Sequence, residues 1–343
     1  MPVDTRIETA GMALAGFLMQ LCGSRRLHPN NLKNNGCDVV LLVGNHEQGA
    51  IALAAGRHLV LRGVNVMTLI VRENVVVGEP VMHNKDDQHL QVIMRTLKSR
   101  SLKSDIAQRH FHGLSSYVLA QLRLFLVAGG DFLVSPQDLP QPQVAPVDFI
   151  VDAMLNASMD PSTIQFLFTP NTNALCTAIR WANDNRAPTI SVDVPSGLDA
   201  TTGRLLTHMR PTQAIPVVQN ENTTNLLAAL FGAPVDAIPP SPKIRTSQPV
   251  AAAWDEDLFI VPRYTVALGL PKLGLLHIVR NPSASVQLGE VYLLDMGLIS
   301  ECIKHVLDSS NAGSVKTSEV VVAADNYVVP FAEKWFVNLR PIE

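Results

Sequence analysis

Short, almost wholly apolar runs alternate with helix-like segments along this chain, and that alternation restricts the fold more than any other feature. The first two runs, VVLLV and VNVMTLIV, flank an Ala-rich stretch of helical length. Strands that are apolar on both faces are typical of a parallel sheet covered by helices on each side. The sequence therefore predicts an α/β fold, a three-layer αβα sandwich with a Rossmann-like, mostly parallel sheet.

The same patterns predict the individual elements. We expect strands over 39–43, 64–71, 147–152, 188–194, 212–218, 264–268 and 291–295, and helices over 5–22, 50–62, 87–98, 114–128, 172–184 and 298–306. Strand patterns continue beyond both Pro-rich connections, which lie at 135–148 and 233–250. We therefore expect one domain over 1–310 and a C-terminal extension over 311–343, whose single strand-like run is either an edge strand or an appendage.

Composition narrows the classes of partner and compartment. The formal net charge of -3 gives no overall field for a polyanion, so a nucleic-acid contact must come from a local patch. Four cysteines without a C-x-x-C pair are typical of a reduced, intracellular protein. One local basic cluster consists of Arg95, Lys98, Arg100, Lys103 and Arg109. It is either a site for RNA phosphates or an ordinary exposed helix face and loop.

An apolar stretch near the N-terminus, AGMALAGFLMQLC at 10–22, superficially resembles a signal sequence. It lacks the basic leader and the small-residue cleavage site of a secretory signal. It is also shorter than the roughly 20 residues that cross a bilayer. We therefore expect a core helix here and no membrane partner.

The turn after the first strand, GNHEQG from Gly44 to Gly49, occupies the place where doubly wound sheets bind anions. Backbone N–H groups at the start of the next helix supply the donors there, and close backbone approach favours glycine. This turn is not G-x-G-x-x-G, and we expect Glu47 to put a negative charge where a phosphate would lie. Two interpretations follow, a phosphate-binding turn and a purely structural one.

Two later strands end in carboxylates. VDFIVDAMLNASM carries Asp152 near the end of its strand, and ISVDVPSGLDATTG carries Asp193 at the end of another, followed by Ser196 and Gly197. In a parallel sheet these ends meet at the edge where ligands bind. The alternative is that Asp193 caps the following segment in an Asx-type turn.

These segments, in this order, resemble the YjeF N-terminal domain family, best known from NAD(P)HX epimerases. ISVDVPSGLDATTG is similar to the family pattern D-I-P-S-G-L-D-A-x-T-G, and Arg57-His58-Leu59 follows the first turn as it does in the family. TVALGLPKLGLL, with Lys272, and GEVYLLDMGL resemble its late segments, and IETAGMALA its first helix. The resemblance covers most of residues 5–300.

The resemblance implies a site for an NAD-like nucleotide. It makes Asp193 the acid or base with Lys272 nearby, and it gives Asp152 and Ser196 to a monovalent cation. The implied ligand-binding residues are Gly44, Asn45, His46, Gly49, Asp152, Asp193, Ser196 and Gly197.

The first turn departs from the family pattern G-P-G-N-N-G-G-D-G. Glu47 and Gln48 stand at the two Asn positions, Ala50 replaces a glycine and Ile51 replaces the Asp. An Asp-to-Ile change deletes a carboxylate. We therefore expect no cofactor and treat Asp193 and Lys272 as vestigial catalytic candidates.

The departures resemble one branch of the family, the decapping-enhancer branch, whose first turn reads G-x-H-x-x-G-A. RLHPNNL at 26–32 and WANDNRAPTISVD at 181–193 are similar to that branch as well. This implies a non-catalytic, homodimeric scaffold of the mRNA decapping machinery in cytoplasmic P-bodies, which binds RNA and decapping partners. An NAD(P)HX epimerase and a vestigial nucleotide-binding domain stay open as alternatives. The Sm-like domain and Phe-Asp-Phe linker of that branch are not visible, so we expect an excised domain or a free-standing relative.

Overall fold

The computed structural model describes residues 2–23, 36–71, 92–93, 96, 111, 113–156, 173–206, 258–269, 271–280, 286–296 and 336–338. The helices longer than one turn are α1 (Val3–Cys22), α2 (Glu47–Val60), α3 (Ser116–Ala128), α4 (Asn173–Asp184) and α5 (Leu273–Arg280). The strands are β1 (Asp38–Val43), β2 (Asn65–Ile70), β3 (Asp131–Leu133), β4 (Phe149–Ala153), β5 (Thr189–Val192), β6 (Tyr264–Leu268), β7 (Glu290–Leu294) and β8 (Phe336–Asn338).

The strands form one sheet in the order β3-β2-β1-β4-β5-β6-β7-β8. All neighbours are parallel except β8, which runs antiparallel to β7. The chain builds outward from β1 in one direction and then returns to the other side of β1 with β4. Ligand crevices in open α/β sheets form at such a reversal, beyond the carboxyl ends of the strands.

Alternate residues of β1 enter different apolar cores, which demonstrates the layering. Leu41 packs in the core that holds α1, α2 and α3, whereas Leu42 packs in the core that holds α4. Successive side chains of a strand point to opposite faces, so helices cover both faces of the sheet. The predicted three-layer αβα sandwich with a Rossmann-like, mostly parallel sheet is confirmed.

The first helix packs closely on the second because of a glycine. A Cβ placed on Gly11 would lie 2.5 Å from the Cβ of Ala54 and 3.1 Å from the backbone N of Ala55. Arg57 and His58 of α2 both contact Glu8 of α1, at 2.6 and 2.9 Å. Burial alone would raise the pKa of Glu8, but these two hydrogen bonds lower it overall. The segment IETAGMALA of α1 and the residues Arg-His-Leu of α2 therefore provide contacts that hold the two helices together.

Most predicted elements within the described residues are confirmed. The strand predicted at 212–218 and the helix at 298–306 lie outside the described residues, as does most of the helix predicted at 87–98. The sequence patterns missed β3, α5 and β8, of which the two strands have three residues each. The boundary predicted at residue 310 stays a prediction. None of the described helices combines the length and apolar composition needed to cross a membrane.

Candidate functional site

The turn after β1 depends on two glycines for close approach. A Cβ on Gly44 would lie 2.2 Å from the carbonyl oxygen of Met154, and one on Gly49 would lie 2.1 Å from the carbonyl oxygen of Gly44. Gly44 N–H donates to the carbonyl of Ala153 at 2.8 Å, which ties the turn to the end of β4. Lack of space explains both glycines, since a positive φ is found at neither.

His46 is the N-cap of α2, and its side chain lies over the start of that helix. Its Nδ1 accepts from Gly49 N–H at 3.4 Å, which fixes the tautomer, so Nε2–H donates to the carbonyl of Met154 at 2.9 Å. Burial lowers the pKa of His46, and the contact with Met154 opposes that shift only in part. A neutral imidazole therefore takes up an N–H group at the helix terminus where an anion would bind.

The other residues of the turn contact three different neighbours. Glu47 pairs with Arg6 of α1, so the expected negative charge at the phosphate position is a wrong prediction. Asn45 accepts from Ser115 N–H at 2.8 Å and donates to the carbonyl of Gly113 at 3.0 Å, just ahead of α3.

Gln48 is the residue of the turn that reaches the sheet edge. Its Nε2 lies 3.4 Å from Oδ2 of Asp193, and its buried Oε1 has no hydrogen-bond partner among the described residues. Ile51, which stands at the family's Asp position, is 2% exposed and belongs to the apolar core of α1 to α3. An apolar core side chain thus stands where the family has its Asp.

Asp152, on β4, is a buried carboxylate with four hydrogen bonds. Oδ1 accepts from Ser196 Oγ at 2.6 Å and from Met154 N–H at 3.3 Å, while Oδ2 accepts from Ser191 Oγ at 2.8 Å and from Ser196 N–H at 2.9 Å. Burial raises its pKa, and the bonds from Ser196 and Ser191 lower it in part.

Four bonds fill the acceptor capacity of the carboxylate at position 152. A cation that binds the Asp152 carboxylate would therefore have to displace one of these donors. No group of three or more His, Cys, Asp or Glu side chains suited to a metal occurs within the described ranges. The cation role of the two residues stays a prediction.

Asp193 sits at a strained turn directly after β5. Its φ is +70°, and among the described residues no other non-glycine residue has a positive φ. Val194 N–H donates to the carbonyl of Val192 at 2.9 Å, so the turn closes over three residues. Such γ-turns are rare, and strain of this kind costs about 1–3 kcal/mol.

The carboxylate of Asp193 is buried and faces Lys272. Lys272 Nζ lies 3.4 Å from Oδ2, and Leu268 N–H of β6 lies 3.5 Å from Oδ1. Burial raises the pKa of Asp193, and the charge of Lys272 opposes the shift. The carboxylate thus contacts α2, β6 and Lys272, which is not the arrangement expected if it capped the following segment.

Ser196 and Gly197 hold the loop after β5. Gly197 has φ +105°, and a Cβ there would lie 2.6 Å from the Cα of Phe259. The carbonyl of Ser196 accepts from Ile260 N–H at 2.8 Å. These contacts keep the Ser196 hydroxyl against Asp152.

The fold brings most of the predicted site residues to one edge of the sheet. Gly44 and His46 contact the end of β4, Gly49 contacts His46, and Asp152 contacts Ser196. Sequence reasoning missed the roles of Arg6, Ser191 and the Met154 carbonyl, because each pairs with a residue far away in the chain. The proposed RNA patch, Arg95, Lys98, Arg100, Lys103 and Arg109, lies outside the described residues.

The doubly wound sheet, with a glycine turn after β1 and carboxylates at the ends of β4 and β5, defines the chain as a Rossmann-like α/β protein. Within that class, the family model described as YjeF-related protein N-terminus matches residues 3–220. The match covers more than half of the 343 residues, and the chain belongs to this family.

Curated relatives carry two different functions. The Enhancer of mRNA-decapping protein 3 of Xenopus laevis is 27% identical over 197 residues, 57% of this chain and 29% of that protein. The human protein of the same name is 26% identical over 204 residues, which are 58% of this chain and 30% of that protein. An NAD(P)H-hydrate epimerase of Dehalogenimonas lykanthroporepellens is 28% identical over 197 residues, 57% of each chain. Identity alone therefore does not separate the two functions.

The matched region spans under a third of the decapping proteins and little more than half of the epimerase. A yeast protein of known crystal structure is similar with a TM-score of 0.47 and 16% identity, over 86% of this chain and 79% of that one.

Proposed function

We propose that the chain is a non-catalytic, homodimeric scaffold of the mRNA decapping machinery. The observation that carries the proposal is the imidazole of His46, which is buried at the start of α2 and accepts from Gly49 N–H. Helix N-termini bind phosphates through such N–H groups. In this chain a side chain of the protein takes one of them, which favours a binding module over a dinucleotide enzyme.

The replaced residues around His46 support the same conclusion. Glu47 is engaged by Arg6, and Ile51 is part of the apolar core. Neither side chain is available to a ligand without breaking a contact that joins α1 to α2. These two departures from the epimerase pattern thus contribute to the fold instead of to a ligand site.

The decapping role itself is supported by the relatives that carry decapping in their names. We propose that two copies associate and that each contacts RNA through the basic patch of Arg95, Lys98, Arg100, Lys103 and Arg109. Two linked weak sites gain affinity through effective concentration. Localisation in cytoplasmic P-bodies belongs to the same proposal.

Three measurements test the scaffold proposal. Light scattering at micromolar concentration should give twice the chain mass, and immunoprecipitation of the tagged chain should enrich the cell's decapping enzyme over a tag-only control. RNA binding is tested with a variant in which all five residues of the basic patch are replaced by Gln. This variant should lose most of the salt-dependent binding of single-stranded RNA. A monomer that enriches no decapping enzyme would overturn the proposal.

An NAD(P)HX epimerase is the second candidate, and the Asp193–Lys272 pair is the observation that favours it. A buried carboxylate with a raised pKa beside a cation can accept and release a proton. Interconversion of the separated epimers of hydrated NADH, well above the spontaneous rate and lost in Asp193→Asn, would establish this activity. Unchanged epimer ratios would exclude it.

A vestigial nucleotide site is the remaining alternative. The buried Oε1 of Gln48, which lacks a partner among the described residues, leaves one acceptor at the sheet edge for a ligand. Calorimetry with NAD, ADP-ribose and ATP distinguishes this case, because binding without epimerisation is expected only there. Gln48→Leu, which removes the acceptor, should weaken that binding while leaving the fold unchanged.

A further inference from the structure

Two buried cysteines meet where the first helix ends and the sheet begins. The Sγ atoms of Cys22 and Cys37 are 2.9 Å apart, and both side chains belong to the apolar core of α1 to α3. Cys22 is the last residue of α1, and Cys37 directly precedes β1. A disulfide bond is about 2.05 Å long, so a movement of less than about 1 Å would join the two sulfurs.

The backbone on each side of the pair is already held in place. Gly23, with φ +70°, turns the chain after α1, and its N–H donates to the carbonyls of Met19 and Gln20. The carbonyl of Cys37 accepts from Asn65 N–H of β2 at 3.0 Å. Described residues on both sides of the pair thus hold the backbone that carries the two sulfurs.

We propose that Cys22 and Cys37 form a reversible oxidation site for hydrogen peroxide. The thiolate of Cys22 attacks one peroxide oxygen, the O–O bond breaks, and the departing hydroxide takes up the thiol proton as water, which leaves a sulfenic acid. The Cys37 thiolate then attacks the Cys22 sulfur. The S–O bond breaks, the second hydroxide leaves as water with the Cys37 proton, and the disulfide forms. Two thiols lose two electrons, and one peroxide gains them.

Exposure assigns the first step to Cys22, which is 6% exposed, whereas Cys37 is 0% exposed. Hydrogen peroxide is little larger than water and can approach a sulfur that bulkier reagents cannot reach. The disulfide would fasten the C-terminus of α1 to the start of β1 across residues 23–36. Its main effect would be to restrict the unfolded chain.

The test is a peptide map of the peroxide-treated protein, alkylated under denaturing conditions and digested with trypsin without reduction. Arg25, Arg26 and Lys33 lie between the two cysteines, so trypsin places Cys22 and Cys37 on separate peptides. We expect a linked pair, lighter than the two peptides by two hydrogen atoms and lost after dithiothreitol. The melting temperature should rise by about 5 °C on oxidation and return on reduction.

Cys176→Ala is the matched control, because Cys176 is also 6% exposed and lies in the other core. It should keep the linked peptide and the rise in melting temperature, whereas Cys22→Ala should lose both. If Cys22→Ala does not fold, the map of the unmodified protein still decides. Recovery of Cys22 and Cys37 as alkylated thiols or as sulfinic acids, or a linkage of either to Cys302, would overturn the proposal.

Discussion

Arg6 of α1 and Glu47 of α2 form an ion pair through two contacts, one of them between Nη2 and Oε2 at 2.7 Å. Adjacent residues of a helix project about 100° apart. Glu47 therefore faces the first helix, while Gln48 reaches Asp193 at the sheet edge. One step along the helix separates a side chain used for packing from one that lies in the candidate site.

A double-mutant cycle with Arg6→Ala and Glu47→Ala should give a coupling free energy of about 0.5 kcal/mol, because both side chains are partly exposed. The coupling should fall further in 1 M salt, which screens the pair. Urea unfolding of the four proteins measures it. A coupling near zero at low salt would mean that the pair does not hold α1 to α2.

Gly11→Ala and Gly16→Ala make the same chemical change in one helix with opposite expected results. A Cβ at Gly11 would lie 2.5 Å from the Cβ of Ala54, so α1 must move away from α2, and we expect a loss of about 1–3 kcal/mol. No atom lies within 4 Å of a Cβ at Gly16, where the helix propensity of alanine should add up to about 1 kcal/mol. Thermal unfolding compares them, and equal effects would refute the close contact.

His46→Asn should make stability less sensitive to acid. Asn keeps an N-cap acceptor but does not titrate, and the loss of the Met154 contact should cost about 1 kcal/mol at pH 7.5. The folded pKa of His46 lies below its ordinary 6.5, so its contribution is complete above that value and is lost as the pH falls through the folded pKa. The gap between the two proteins should therefore narrow by pH 5.

Urea unfolding at both pH values measures that gap, and the other histidines cancel because both proteins contain them. A gap that stays constant or widens in acid would show that the imidazole is not held neutral at the start of α2.

Lys272→Met should destabilise the protein in a way that grows with pH. The folded pKa of Asp193 lies above its ordinary 3.8, so its contribution is complete below that value and falls as the pH rises through the folded pKa. Lys272 limits this loss, since it stabilises only the ionised carboxylate. We expect little difference from the unmodified protein at pH 4 and a loss of about 1–2 kcal/mol at pH 7, moderated by the partial exposure of Lys272.

Asp193→Asn combined with Lys272→Met serves as the control, because an amide has no charge for Lys272 to offset. Relative to Asp193→Asn alone, the double variant should show a loss of stability that does not grow with pH. If Lys272→Met behaves the same at pH 4 and pH 7, the two side chains do not interact in the folded protein.

The layered architecture could be predicted because each central strand is apolar on both faces. Runs such as VVLLV fix the strand, and the glycines at 44 and 49 mark its turn. The short strands β3 and β8 could not be predicted, since three residues show no reliable alternation and their place depends on a neighbouring strand. The same holds for α5, a helix of only 8 residues.

For the candidate site, the sequence could predict only which residues lie at the same edge of the sheet. Asp152 and Ser196 follow from the ends of two parallel strands, and the structure shows their hydrogen bonds. The direction of Glu47 could not be predicted, because it depends on Arg6, 41 positions away in the chain. The strain at Asp193 was equally hidden, since aspartate is compatible with many turn types.

The antiparallel strand β8 has a consequence for solubility. Phe336, Val337 and Asn338 pair with Leu294, Leu293 and Tyr292, so β8 covers three of the five residues of β7 on that side. Among the described residues, the two borders of the sheet are β3 and β8, each three residues long. A strand of another molecule needs a longer row of unpaired N–H and C=O groups to attach firmly. The three residues of β8 therefore shield this side of a hydrophobic sheet against growth from one molecule to the next.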